Sequence, residues 1–248
     1  MRCTDGVIVG ADSMATSGAG RLPLMRMASD KLAVVGDRVI IAGTGAVGLG
    51  QRFQDVVQKA WDKKAFNGKC VDCCRVLSHD AVNDFRGTGV PFVQDQGYGF
   101  GALLAAPLED RAQLVEFGTN DLQPEIKSDK LNFVSMGSGQ MLAEPFMGFI
   151  SRVIWAGNMP NVQSATLGVY WALRHAIQMA PGGVGEPIRI ATLTRQKGHW
   201  MARILEDEEL QEVGQHIDAI EERIRQYPAG VLREAAAQPL PEPPKSGA

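Results

Sequence analysis

Long apolar runs, a strong net charge and a disulfide framework are all absent from this sequence of 248 residues. No segment approaches the roughly 18 uninterrupted apolar residues of a membrane-spanning helix, and the N-terminus has too short an apolar core for a signal peptide. A formal charge of −3 provides no basic surface for nucleic acid or an anionic membrane. We therefore expect a cytoplasmic protein with no nucleic-acid and no membrane partner.

Common catalytic and metal-binding motifs are missing as well. The chain has neither GxSxG nor HExxH, and its four histidines follow no ligand pattern. Cys70, Cys73 and Cys74, with His79, offer four metal ligands, but no second CxxC or histidine pair follows at the spacing of structural zinc. We interpret these cysteines as small buried side chains in the thiol form, and we expect no metal and no cofactor.

One glycine motif suggests a nucleotide site. Gly43-x-Gly45-x-x-Gly48 follows an apolar run and precedes a predicted helix, as in the dinucleotide-binding fingerprint. About 20 residues further on, where that fold requires a strand ending in an acidic residue, the chain reads AWDKKAFNGKCVD. A dinucleotide-binding enzyme therefore stays as a minor alternative, in which NAD(P) would raise the melting temperature.

The order of predicted elements favours an α+β fold. Strands come first, with a hairpin at Gly36-Asp37, and blocks of two helices alternate with further strands. Such blocks predict a four-layer αββα sandwich, in which two mainly antiparallel sheets carry helices on their outer faces. The predicted helices cover 47–64, 70–86, 140–155 and 162–179, and the later strands cover 98–106, 113–117, 131–135, 188–194 and 199–204.

The C-terminal region has a different composition. Apolar residues spaced three and four apart predict an amphipathic helix over 206–228, which either docks on a subunit or remains a solvated appendage. Pro228-Ala229-Gly230 should end this helix, and 229–248 is expected to be a disordered, proline-rich tail. The domain itself is then 1–205.

Four short motifs become specific when they are taken in order. They are DGVIVGADSMAT at 5–16, DKLAVV at 30–35, IAGTGA at 41–46 and MGSG at 136–139. In this order, and over about residues 2–205, the sequence resembles the proteasome β-subunit and HslV family of N-terminal-nucleophile hydrolases. The resemblance is strongest to bacterial proteasome homologues such as Anbu and the BPH group.

This resemblance implies an Ntn-hydrolase fold and a threonine peptidase that cleaves peptides or unfolded proteins inside a homo-oligomeric stacked ring, with an ATPase as a possible partner. An N-terminal threonine is the nucleophile in such enzymes, and its own α-amine is the base. The resemblance assigns roles to seven residues: Lys31 tunes the nucleophile, Asp12 pairs with that lysine, Gly45 binds the oxyanion, Ser138 binds the terminal amine, Gln178 lies at a supporting position, and Thr16 and Val47 contact substrate.

Two departures from the family pattern matter. The nucleophile lies about sixteen residues ahead of the position matched by Asp12, but only eleven residues precede Asp12 here, and Thr4 is too close to replace it. Gln178 and Pro181 stand where the family has an aspartate and a serine. We therefore expect a late start of the reading frame, a shortened first strand, and no activity for the chain as given. The alternative hypothesis is a non-catalytic ring or scaffold subunit.

Overall fold

The computed structural model describes residues 1–19, 22–93, 97–180 and 182–237, with backbone alone for 16–19, 22–26 and 228–237. Its strands are β1 Arg2–Cys3, β2 Gly6–Ala11, β3 Met14–Ala19, β4 Leu22–Ala28, β5 Leu32–Val35, β6 Val39–Gly45, β7 Phe100–Leu108, β8 Arg111–Phe117, β9 Pro124–Ile126, β10 Arg189–Gln196 and β11 His199–Ile204. Its helices are α1 Val47–Asp62, α2 Cys70–Gly87, α3 Gln140–Val153, α4 Val162–Met179 and α5 Asp207–Ala237, and a 3₁₀ turn spans Ala65–Asn67.

Two sheets form the framework of the protein. One has the order β1-β2-β10-β11 and the other β5-β6-β7-β8-β9, and every strand pair in them is antiparallel. The prediction of an α+β protein with antiparallel sheets is therefore confirmed. Since β6, which leads into the glycine motif, lies between two antiparallel neighbours, the parallel βαβ unit of a dinucleotide-binding fold is excluded.

Three apolar clusters join the two sheets to the helices and to each other. The first joins α1 and α2 to the five-stranded sheet, and there the Phe53 ring packs against Phe100 and Phe117 at centroid distances of 5.6 and 5.2 Å. The second joins the four-stranded sheet to α3, α4 and α5. The third lies between the two sheets. Cys70, Cys73 and Cys74 are buried in the first cluster, which confirms their interpretation as small core residues.

The C-terminal helix is longer than predicted. It packs on α4 through buried Leu210 and Ile217, with Arg174 bonded to Asp218 at 2.7 Å, and it continues beyond Pro228 to Ala237. The predicted end at Pro228 is therefore wrong. Proline removes one N–H from a helix, and good helix formers follow it here, so the helix continues. Of the predicted tail, 229–237 is helical, and 238–248 lies outside the described residues.

One predicted strand is absent from the described structure. Residues 131–135 belong to no strand, although the Asn132 carbonyl accepts a hydrogen bond from the Arg2 amide at 2.6 Å. β1 has only two residues, so most of the 131–135 segment has no neighbouring strand with which to pair. No helix in the described part of the chain is both long and apolar enough to cross a membrane.

The first cluster yields a stability prediction. Phe53 is fully buried against Phe100 of β7 and Phe117 of β8, so Phe53→Ala should lower the free energy of unfolding by about 3–5 kcal/mol. Phe92 is 55% exposed, and Phe92→Ala should cost less than about 1 kcal/mol. Urea unfolding followed by circular dichroism measures both changes, and equal losses would contradict the assignment of this core.

Candidate active site

An ion pair connects the two sheets at one end of the molecule. Asp12 follows β2, and Lys31 precedes β5 of the other sheet. The Lys31 Nζ atom lies 2.6 Å from Asp12 Oδ1, and the two side chains are 21% and 11% exposed. The second carboxylate oxygen accepts the amides of Met14 at 3.1 Å and Gly185 at 3.0 Å. All these partners compensate for the removal of the carboxylate from water.

Ser138 is held in place next to this pair. Its hydroxyl donates to the Gly183 carbonyl at 2.7 Å. Gly183 has φ +85°, and a Cβ atom there would lie 2.6 Å from Ser138 Oγ. Because the serine proton is directed at Gly183, the lone pairs of its oxygen remain available to a donor. Gly45 also has a positive φ of +95°, and a Cβ atom there would lie 2.0 Å from the Gly99 carbonyl oxygen.

A cavity of about 130 Å³ is lined by Asp12, Lys31 and Ser138 and also by Met1, the residue before β1. Two consecutive stretches of chain line it, 8–12 of β2 and its end and 133–139. Thr44 and apolar side chains of α3 and α4 complete the lining, and Gly45 does not belong to it. We call this cavity the strand slot, because the backbone runs 8–12 and 133–139 both border it.

Met1 lies at the inner end of the strand slot. Its nitrogen donates to the Ile8 carbonyl at 2.6 Å, and its carbonyl accepts the Ile8 amide at 2.9 Å, so Met1 and Ile8 form a hydrogen-bonded antiparallel pair. Burial lowers the pKa of the Met1 amine to about 6. A free ammonium is unfavourable at this position because it is removed from water without a carboxylate partner among the described residues.

Val47 and Gln178 do not line the slot, and the side chain of Thr16 is not described. Val47 is the first residue of α1, follows Gly45 closely and is 54% exposed. Gln178 is exposed in the last turn of α4 and does not line the cavity. Thr16 lies in β3, but its side chain is outside the described part of the structure. The roles predicted for these three residues stay predictions.

Sequence reasoning missed several parts of the site. The Gly185 amide holds Asp12, and Thr44 and Met136 line the slot. Thr44 and Met136 lie within the IAGTGA and MGSG motifs beside Gly45 and Ser138, but the motifs assigned them no role, and Gly185 lies in no motif. Among the described residues, no group of three or more metal-binding side chains lies together.

Comparison with known proteins places the fold in a recognised class. The chain matches solved structures of proteasome β-like proteins over nearly its whole length. Anbu from Hyphomicrobium sp. strain MC1 superimposes with a TM-score of 0.67 at 14% identity, covering 92% of this chain and 94% of that one. Anbu from Yersinia bercovieri, described as an ancestral β-subunit, gives 0.64 at 12% identity, with 98% and 97% covered.

The likeness is one of fold alone at such low sequence identity. No protein-family model matches the chain, and no curated protein matches its sequence. The predicted resemblance to the bacterial proteasome homologues is confirmed as a structural match to Anbu.

The ion pair yields a second prediction. Lys31→Met keeps the side-chain length but leaves the Asp12 carboxylate without its cation, so the free energy of unfolding should fall by about 2–4 kcal/mol. Lys59 forms an exposed pair with Asp55, and Lys59→Met should cost less than about 1 kcal/mol. Chemical denaturation of both variants tests this contrast.

The buried amine yields a third prediction. In a chain that begins at Met1, the amine has a pKa of about 6 when folded and about 8 when unfolded. Since the unfolded chain then binds more protons between pH 6 and 8, stability should rise over this range by up to about 3 kcal/mol. Acetylation of the Met1 nitrogen removes this contribution while leaving the four histidines unchanged. An identical pH dependence for both chains would show that the amine is solvated.

Proposed function

We propose that this protein is a proteasome-like threonine peptidase subunit, whose nucleophile is the fifth residue ahead of Met1 in the full-length protein. One observation carries the proposal. The strand slot is lined by Met1, by the residues 8–12 that follow the β1 partners along β2, and by the Asp12–Lys31 pair. A segment that enters this slot from Met1 leads directly to the polar site.

The register of β1 and β2 supports this length. Met1 lies opposite Ile8, so each step back from Met1 advances one residue along β2 in an antiparallel ladder. The fourth residue ahead of Met1 is then level with Asp12, and the fifth is level with Ser13. Five residues in a strand extend about 17 Å. The same length follows from the family spacing of about sixteen residues.

Side-chain alternation supports a threonine at that place. Met1 and Ile8 face the helices α3 and α4, where both join the second apolar cluster. Successive residues of a strand alternate between faces, so the second residue ahead of Met1 also faces these helices and should be apolar. The fifth faces the other sheet, from which Lys31 reaches the site.

The surrounding groups suit acyl transfer by an N-terminal threonine. The Lys31 ammonium favours the developing alkoxide, and the α-amine of the threonine takes the proton from its hydroxyl. The oxygen of Ser138 can accept a hydrogen bond from the ammonium that results, because its own proton is bonded to Gly183. The threonine oxygen attacks the scissile carbonyl, and the Gly45 amide stabilises the oxyanion that forms. The C–N bond then breaks, the ammonium gives its proton to the leaving amine, and an ester to the threonine remains. Water, which gives a proton to the α-amine, hydrolyses this ester and restores the threonine hydroxyl.

The fold likeness supports further parts of the proposal. We assign residues 1–205 to a four-layer αββα Ntn-hydrolase domain, with its two sheets lying between α1–α2 and α3–α4. Copies of this domain assemble into a stacked ring that encloses the sites, and peptides or unfolded proteins are the substrates. Native mass spectrometry tests the ring.

The DNA upstream of Met1 gives the most direct test. The proposal expects an in-frame threonine codon at the fifth position and an apolar residue at the second. A chain extended in this way, with threonine exposed at its N-terminus, should hydrolyse fluorogenic peptides and form a covalent adduct with a hydroxyl-directed peptide inhibitor. The chain that begins at Met1 should do neither.

A variant pair tests the proposed role of Lys31 in the extended chain. Lys31→Ala should lower kcat/KM by about 10³-fold, since it removes the charge beside the nucleophile, whereas exposed Lys59→Ala should leave it unchanged. An extended chain that forms a ring but neither hydrolyses peptides nor forms an adduct would identify the alternative, a non-catalytic scaffold subunit.

A further inference from the structure

A buried hydroxyl next to the ion pair has no role in the proposal so far. Ser13 is 4% exposed, and its Oγ atom has no hydrogen-bond partner in the described structure. Buried hydroxyls are usually paired, because the loss of hydration is otherwise uncompensated. The position of Ser13, directly after Asp12, makes this exception informative.

The backbone of Ser13 is fixed on both sides. Its amide donates to the Gly185 carbonyl at 3.0 Å, and its carbonyl accepts the Ser29 amide at 3.0 Å. The residue therefore joins the loop before β10 to the segment that leads into Lys31. With both backbone groups bonded, the hydroxyl is the one polar group of Ser13 left to a partner.

If the β1–β2 ladder continues two residues past Ala11, the end of β2, the fifth residue ahead of Met1 lies opposite Ser13. Met1 and Ile8 exchange two hydrogen bonds, so hydrogen-bonded pairs recur at every second step along an extended β1. The fifth residue ahead of Met1 and Ser13 then form a pair without backbone hydrogen bonds. In such pairs the Cα atoms lie about 4.5 Å apart and the side chains are closest. Threonine and serine in cross-strand pairs can hydrogen-bond through their hydroxyls.

We propose that Ser13 is a positioning residue that hydrogen-bonds to the hydroxyl of the N-terminal threonine and fixes its rotamer toward Lys31. This inference rests on the proposed function. It adds a role for Ser13 that the family resemblance does not assign. Ser13 forms no bond to substrate, so its contribution lies in the orientation of the nucleophile.

The experiment compares Ser13→Ala in two backgrounds, the chain that begins at Met1 and the chain extended by five residues with threonine first. In the shorter chain the hydroxyl has no partner, so the melting temperature should be unchanged or slightly raised. In the extended chain it should fall. In the extended chain, Ser13→Ala should also lower kcat for peptide hydrolysis roughly tenfold, because the loss of one hydrogen bond to the nucleophile raises the barrier enough to slow the step by that factor. KM should stay unchanged.

Two further variants separate positioning from general stability. Ser13→Thr keeps a hydroxyl and should restore most of kcat and the pH profile, which Ser13→Ala should shift because the threonine hydroxyl and amine lose their fixed geometry. Ser78 is equally buried, at 4% exposed, but lies in α2, far along the chain from the slot. Ser78→Ala should change the melting temperature by the same amount in both backgrounds.

The outcomes distinguish the two proposals. If the extended chain does not hydrolyse peptides, the proposed function fails, but a background-dependent melting shift for Ser13→Ala still supports the pairing. The assignment of Ser13 is overturned if the extended chain is active, Ser13→Ala leaves its kcat and pH profile unchanged, and the change in melting temperature is the same in both backgrounds, as it should be for Ser78→Ala.

Discussion

The Asp12–Lys31 pair is the contact on which the geometry of the site depends. Asp12 directly follows β2 and Lys31 directly precedes β5, so the pair joins the two sheets. The same carboxylate holds the amides of Met14 and Gly185, and it thereby fixes the turn into β3 and the loop before β10. Ser138 is tied to that loop through Gly183. A change at Asp12 would therefore displace four segments together.

Backbone proximity is the second constraint at this end of the molecule. At Gly45 and Gly183 a side chain would collide with the Gly99 carbonyl and with Ser138, so only glycine fits the observed backbone. Both positions also have φ values that L-residues rarely adopt. The absence of side chains leaves peptide groups accessible beside Lys31 and Ser138. The packing of the site therefore explains both glycines, and a nucleotide-binding role is not needed to explain Gly45.

Periodicity was sufficient to predict most of the fold. The continuous apolar run of the first strand and the helical spacing around Phe53 and along 162–179 reflect burial in the three apolar clusters, so the sequence pattern and the packing agree. The hairpin at Gly36-Asp37 was also predictable, since both residues adopt positive φ. Local pattern misled at Pro228, where helix formers on both sides outweigh one missing N–H, and at 131–135, whose apolar residues lie beside the slot without joining a ladder.

The site was predictable only in part. Asp12 and Lys31 form the pair that the family resemblance implied, and Ser138 lines the same cavity. The strand slot was not predictable, because its walls come from 8–12 and 133–139, which are far apart in sequence. The bond from Gly185 to Asp12 is equally invisible, since a backbone amide has no residue-type signal.

All four cysteines are buried, which has a practical consequence for labelling. Burial raises the pKa of Cys3 to about 12 and that of Cys73 to about 11, whereas the hydrogen bond with Cys74 lowers the pKa of Cys70. All four side chains are at most 9% exposed, so maleimides and iodoacetamides have little access to them. A cysteine introduced at Met141, which is 87% exposed in the first turn of α3 and three residues after Ser138 in the chain, would therefore carry a single fluorophore without removal of the native cysteines.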